Sequence, residues 1–144
     1  MARFLIVDAH SVIFAWPQLL ALHQRRMILA REALVKLLTQ YQDYSGIHVV
    51  AVFDGQGQST AQAGEPGGIQ VIYSGQSETA DDVIERLVAH YGQIHDLTVA
   101  TRDRLEAQTA STFGASCISP DLLWGMLGDA RAEFERDLDR HKRQ

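Results

Sequence analysis

The stretch Arg3-Phe4-Leu5-Ile6-Val7-Asp8-Ala9-His10-Ser11 decides the fold that this sequence predicts. Its short apolar run, rich in β-branched residues, is typical of a strand buried on both faces. Open α/β sheets place their ligands at the carboxyl ends of such strands. Asp8 is therefore either a functional acid or only a turn former or helix cap after the strand. The choice depends on whether other strands bring acids to the same edge.

The composition indicates one ordinary globular domain spanning residues 1–144. The formal net charge of −5 argues against a generic electrostatic nucleic-acid binder, which is usually basic. It leaves room for an enzyme acting on nucleic acid, because metal-binding carboxylates contribute negative charge themselves. The start of the chain lacks a signal-peptide pattern and no apolar run is long enough for a membrane span, so we expect a cytoplasmic protein without a membrane partner.

Apolar runs and helical repeats alternate along the chain. The predicted strands are Phe4–Val7, Ile47–Phe53, Ile69–Tyr73, Leu97–Thr101 and Ala115–Ile118. A short helix or turn is predicted at Gln18–His23. The further predicted helices are Met27–Tyr44, a helix from about Glu78 to about Tyr91, Leu105–Phe113 and a last helix from Pro120. The glycine-rich stretch 55–68 is predicted to be a surface loop. This alternation predicts an α/β fold, a three-layer α/β/α sandwich with a mainly parallel five-stranded sheet.

Several acids should meet at the carboxyl edge of that sheet. Three predicted strands end in or near an aspartate, namely Asp8, Asp54 and Asp103. The helix between the third and fourth of the five predicted strands begins with Glu78, Asp81 and Asp82, and together with Glu85 these acids are spaced to share one helix face. Taken singly, each acid fits a turn or a helix dipole equally well. Together, however, they are predicted to converge.

Convergence of these acids requires a cation. Two carboxylates about 4 Å apart repel by roughly 4 kcal/mol at an effective dielectric constant of 20. Hard oxygen ligands suit Mg²⁺ or Mn²⁺, and such an ion supports cleavage of a phosphodiester. The sequence lacks the glycine-rich phosphate loops of dinucleotide-binding and P-loop proteins and the nucleophile elbow of serine hydrolases. A receiver domain with Asp54 as phospho-acceptor is weakened by the absence of the usual acidic pair and lysine.

Four segments, in this order, resemble the YacP-like NYN domain, a family of the PIN-like nuclease superfamily. They are Val7–Ile13 with Ala15-Trp16-Pro17, Val52-Phe53-Asp54, Glu78–Glu85, and Val99–Asp103 with Glu106. The Glu-Thr-Ala-Asp stretch followed by Ile-Glu is the most specific of them. The resemblance implies a PIN-like fold and a divalent-metal ribonuclease (hydrolase) site with RNA as the partner, free or in RNA–protein assemblies.

Carried onto matching positions, the resemblance makes Asp8, Asp81 and Asp103 the main catalytic and metal-site acids. Asp54, Glu78 and Asp82 are further candidates for metal binding. His10, Ser11, Arg102 and Arg104 are the expected substrate-binding residues, the two arginines because they flank a strand-end acid.

An alternative interpretation follows from a departure within the first segment. The family usually reads Asp-Gly-Tyr-Asn after the first strand, whereas this chain has Asp8-Ala9-His10-Ser11. Alanine takes positive φ less freely than glycine, and serine has a shorter reach than asparagine. The alternative is thus a catalytically impaired PIN-like module that binds RNA or protein.

Overall fold

The computed structural model describes residues 2–55, 61–62 and 68–143 of the chain. Within these residues the chain folds into six strands and six helices. The strands are β1 (Arg3–Asp8), β2 (His48–Phe53), β3 (Ala61–Gln62), β4 (Gln70–Tyr73), β5 (Asp96–Ala100) and β6 (Ser116–Ile118). The helices are α1 (Ala9–Ala15), α2 (Pro17–Arg25), α3 (Met27–Ser45), α4 (Ala80–Tyr91), α5 (Arg104–Thr112) and α6 (Pro120–Lys142).

The strands form one sheet in the order β3-β4-β2-β1-β5-β6. All neighbouring pairs are parallel except the short β3, which runs antiparallel to β4. Strand β1 lies at the centre, with Ile6 opposite Val50 of β2 on one side and Val99 of β5 on the other. The predicted five-stranded parallel sheet is confirmed, and β3 adds a short antiparallel strand at its edge.

Two hydrophobic cores sandwich the sheet, because successive side chains of a strand point to opposite faces. Leu5 and Val7 of β1 pack with α1, α2, α3 and α6 on one face. Ile6 packs with α4 and α5 on the other face. These are the three α/β/α layers that the sequence predicts.

Two parts of the chain differ from the sequence prediction. Residues Ala9–Ala15 form helix α1, for which the sequence analysis predicted no element, and this helix ends where Pro17 begins α2. The predicted loop 55–68 contains β3, while residues 56–60 and 63–67 lie outside the described residues. In the part of the chain that is described, no helix is both long enough and apolar enough to span a membrane.

Candidate metal centre at the sheet edge

The site lies where the chain order of the sheet reverses. The chain moves outward from β1 through β2 to β4, and it then crosses back to place β5 on the other side of β1. A crevice at the carboxyl ends of the strands is expected at such a switch point. Asp8 is the last residue of β1 and therefore stands in this crevice.

Three carboxylates meet there. Asp8, Asp81 and Glu106 each offer one oxygen, and these three oxygens lie within 4.8 Å of one another. Asp8 comes from β1, Asp81 from the first turn of α4 and Glu106 from the first turn of α5. Asp8 and Glu106 are buried, with 5% and 8% of their surface exposed, whereas Asp81 is exposed. The cluster thus has two buried acids and one that faces solvent.

Two buried hydroxyl groups hold the buried acids in place. Ser11 donates a hydrogen bond of 2.9 Å to Oδ2 of Asp8. The hydroxyl of Thr101 lies 3.3 Å from the same oxygen, 3.2 Å from Oε2 of Glu106 and 3.2 Å from the Ser11 hydroxyl. A hydroxyl carries a single hydrogen, so Thr101 can donate to only one carboxylate at a time. This small network fixes Asp8 and Glu106 relative to each other.

The protonation of Glu106 is strongly affected by this setting. Burial raises the pKa of the Glu106 carboxyl to about 10, with further contributions from its contacts with Asp81 and Asp8. The physical cause is that a buried third negative charge beside two carboxylates is unfavourable. Without a cation, Glu106 therefore keeps its proton at neutral pH.

The donor set fits a divalent cation. Oε1 of Glu106 is buried and has no hydrogen-bond partner among the described residues. A buried oxygen without a partner is costly, and a cation would satisfy it. Oxygen ligands on opposite sides of an ion such as Mg²⁺ are about 4.2 Å apart, since each lies about 2.1 Å from the metal. The three carboxylate oxygens lie within 4.8 Å of one another, so small side-chain movements would bring them all to one ion.

The other predicted acids of the α4 segment stabilise its start. Asp54, just after β2, accepts a 2.7 Å hydrogen bond from the backbone N–H of Ala80 through Oδ1. Thr79 and Asp82 form a reciprocal capping box at the same helix end. Glu78 precedes the helix and pairs with Arg86. The expectation that Glu78, Asp81, Asp82 and Glu85 share one helix face is therefore wrong for Glu78, because it lies outside the helix.

Asp103 lies at the edge of the site and not within the group of three. It is the N-cap of α5, and its Oδ1 accepts hydrogen bonds from the backbone N–H groups of Leu105 and Glu106. Glu106, three residues later, occupies the place in the cluster that the sequence analysis gave to Asp103. A direct metal role for Asp103 stays a prediction.

Glu106 is the site residue that sequence reasoning passed over. It was part of the family resemblance, but a glutamate in the first turn of a helix is equally explained by the helix dipole. The signal that could have identified it is its spacing from Asp103, because the N-cap and the third helical residue of α5 lie at the same helix end.

An open groove of about 520 Å³ runs beside the cluster. It is lined by Asp8, His10, Ser11, Phe14, Arg102 and Asp103. Of the four predicted substrate-binding residues, His10, Ser11 and Arg102 lie in this groove. Arg104 is exposed on α5 and lines a separate hollow with Gln108 and Ser111.

Comparison with known proteins places this geometry in a family. The family model described as "YacP-like NYN domain" matches residues 5–144. The "Uncharacterized protein YacP" of Bacillus subtilis strain 168 is 36% identical over 106 residues, which cover 71% of this chain and 61% of that relative. The chain thus matches less than two thirds of the relative's length.

Solved structures share the fold. A crystal structure of a mutant of Rae1 (YacP) from Bacillus subtilis superimposes with a TM-score of 0.80 at 30% identity, covering 98% of this chain and 84% of that one. A second crystal structure of Rae1 (YacP) gives a TM-score of 0.78 at 31% identity and covers 95% and 80%. The chain therefore belongs to the YacP-like NYN domain family, whose members are nuclease-type domains.

Proposed function

We propose that this protein is a divalent-metal-dependent endoribonuclease whose metal ligands are Asp8, Asp81 and Glu106. The observation that supports this most strongly is the convergence of three carboxylate oxygens within 4.8 Å. One of the three residues, Glu106, also has a buried oxygen to which no described residue hydrogen-bonds. The nuclease-type family agrees with this chemistry. Mg²⁺ or Mn²⁺ is the proposed ion, because both accept carboxylate oxygen ligands.

The residues of the chain divide the work between them. Asp8 and Glu106 are the proposed fixed ligands, because Ser11 hydrogen-bonds to the carboxylate of Asp8 and Thr101 to that of Glu106. Asp81 is exposed and closes the site on the solvent side, where RNA would approach. Arg102 is exposed in the groove and is the proposed contact for a phosphate of the RNA.

A cation held by Asp8, Asp81 and Glu106 would supply Lewis-acid stabilisation of the phosphodiester and would help to activate a water molecule. Loss of the Glu106 proton accompanies its binding, since ligand carboxylates must be ionised. Metal affinity is therefore expected to rise with pH as the proton on Glu106 becomes easier to remove.

The structure weakens the case for the impaired-module alternative. That alternative rested partly on Ala9 in place of glycine, which matters only where φ is positive. Ala9 is the buried first residue of α1, and none of the described non-glycine residues has a positive φ. Alanine is therefore compatible with the backbone beside Asp8. Ser11 keeps a hydrogen bond to Asp8 despite being shorter than asparagine.

Cleavage of a fluorescently labelled single-stranded RNA with Mn²⁺ tests the proposal. We expect the wild-type protein to cleave and EDTA to abolish cleavage. Asp8→Asn, Asp81→Asn and Glu106→Gln should each lose at least about 100-fold in rate, because even the residues that only support metal ligands affect activity by 10–100-fold.

Asp43→Asn is the matched control for these variants. Asp43 is exposed near the end of α3 that leads to the amino end of β2, opposite the site. Its substitution should leave the cleavage rate unchanged. Equal cleavage by the wild type and by all three site variants would disprove the assignment of the ligands. Absence of any metal-dependent cleavage by the wild type would favour the interaction module.

A further inference from the structure

Phe14 is an exposed aromatic residue that lines the groove and is not part of the hydrophobic core. It is 36% exposed, while its neighbours Val12 and Ile13 on the same helix are buried in the core. Its ring stacks on the imidazole of His10, one helical turn earlier, with centroids 5.6 Å apart and planes at 14°. His23 of α2 contacts the Phe14 ring edge-on, with centroids 4.9 Å apart. Two imidazoles thus support the ring from α1 and α2.

This stacked pair, His10 and Phe14, lines the same groove as Asp8. Arg102 lines the same groove, is exposed and forms no ion pair with any described residue. An aromatic surface and an arginine therefore line one open groove, and this groove reaches the acidic cluster at Asp8. Aromatic rings for bases and cations for phosphates are the two components of sites for single-stranded nucleic acid.

We propose that the stacked pair is a base-stacking subsite, at which an unpaired nucleobase of the RNA lies against Phe14 while a neighbouring phosphate reaches the proposed metal site. This inference rests on the proposed ribonuclease function and specifies the form of its substrate. Bases inside a duplex have both faces covered by their neighbours, so only an unpaired base can occupy such a surface. The substrate is thus single-stranded RNA, and stacking alone selects little between base types.

The pair is supported in a way that suits this role. Phe14 is held by ring contacts with His10 and His23, so that little side-chain freedom remains to be lost when a base binds. The subsite would place the base and fix the direction of the strand across the cluster. Phe14 is then a positioning residue that acts on RNA binding.

Binding of single-stranded RNA in EDTA, where no cleavage occurs, provides the test. The probes are an intact labelled decamer and a set of decamers that each carry one abasic nucleotide at a different position. Phe14→Leu should weaken binding of the intact RNA by about 5–100-fold, the range expected for one base–aromatic stack. Phe14→Trp should keep the affinity. One abasic position should cost the wild type a similar factor, and the same RNA should bind to Phe14→Leu with no further loss.

Phe134→Leu is the matched control. Phe134 is 39% exposed and its ring contacts the ring of Tyr44 at a tilt of 30°, but it lies on α6 away from the groove. Its substitution should leave RNA affinity unchanged. Equal melting temperatures of the wild type and Phe14→Leu would show that the fold is intact, as expected for an exposed ring.

The outcomes separate this inference from the proposed function. The subsite is disproved if Phe14→Leu binds the intact RNA as tightly as the wild type does. It is also disproved if an abasic nucleotide lowers the affinity of the wild type equally at every position. Metal-dependent cleavage by the wild type would stand in both cases. A wild type that neither binds nor cleaves RNA overturns both proposals. Retention of a peptide but not of RNA by the groove would also overturn the subsite.

Discussion

The protonation state of Glu106 links the stability of the metal-free protein to pH. Its carboxyl is buried beside Asp8 and Asp81, and its pKa is raised to about 10 from an ordinary value of 4.5. The unfolded chain ionises at the ordinary value, so the native state binds one more proton between these two pH values. Native stability is then fully present below about pH 4.5 and declines as the pH rises toward 10.

Glu106→Gln should therefore stabilise the metal-free protein at neutral pH. The amide keeps the size of the side chain and can donate to the neighbouring carboxylates, but it carries no charge. We expect a gain of about 1–3 kcal/mol at pH 7, because the wild type must take up a proton at Glu106 when it folds at this pH and the variant does not. The difference from the wild type should vanish below about pH 4 and increase at higher pH. Thermal unfolding in EDTA across this range measures it.

Mn²⁺ should stabilise the wild type and not Glu106→Gln, which is the reverse of the order expected without metal. Mass action stabilises a native state that binds the ion, so Mn²⁺ should raise the melting temperature of the wild type and not that of Glu106→Gln. Glu32→Gln, an exposed substitution on α3, should behave as the wild type in both measurements. A Glu106→Gln variant that is less stable than the wild type in EDTA at pH 7 would contradict the assigned protonation.

At the scale of the element, the start of helix α4 determines where Asp81 stands. Asp54 binds the backbone N–H of Ala80 and so ties the end of β2 to the first residue of α4. Ser74 adds to this connection by donating a 3.2 Å hydrogen bond to Asp54. The helix is thus anchored one residue before Asp81, the proposed metal ligand.

Asp54→Ala and Asp54→Asn should separate anchoring from ligation. Alanine leaves the helix N–H without its partner, so we expect a loss of about 0.5–2 kcal/mol in stability and a 10–100-fold loss in Mn²⁺ affinity. Asparagine keeps an acceptor oxygen and should retain most of both. Calorimetric titration with Mn²⁺ distinguishes the cases. If both variants lose Mn²⁺ binding equally, the charge of Asp54 itself is needed, as the sequence analysis first suggested.

The sequence predicted most elements within a residue or two, because strands β2 and β5 are short apolar runs and helix α3 has a clear apolar repeat. Helix α3 also ends as predicted, at Gly46 with φ of 74°. The sequence did not predict α1, because Val12-Ile13-Phe14 reads as a strand-like run with low helix propensity. Tertiary packing of Val12 and Ile13 against the core decides that segment in favour of a helix.

The sequence could not decide whether Asp103 or Glu106 joins Asp8 in the acidic cluster, and the reason is again tertiary packing. Both lie at the start of α5, and which of them reaches Asp8 depends on how the helix is rotated against the sheet. Asp103 uses its carboxylate to cap the helix, which leaves Glu106 beside Thr101 and Asp8. That rotation is a property of the packed fold and has no local pattern.

At the scale of the whole molecule, the function depends on the parallel sheet. Residues about 70 and 100 positions apart in the chain meet because β1 and β5 end at one edge and α4 begins there. The net charge of −5 does not prevent contact with RNA, since the proposed contacts are local: a cation at the cluster, Arg102 and the stacked pair. The proposed binding of a short single strand therefore requires no basic surface.

Anomalous X-ray diffraction from crystals soaked in Mn²⁺ tests the central claim most directly. We predict a manganese peak within about 2.1 Å of carboxylate oxygens from Asp8, Asp81 and Glu106, in the distance range of a directly bound ion of this size. Crystals of Glu106→Gln should show this peak weakened or absent. A peak elsewhere, or none at the cluster under conditions in which the protein cleaves RNA, would contradict the assignment of these three acids as the metal site.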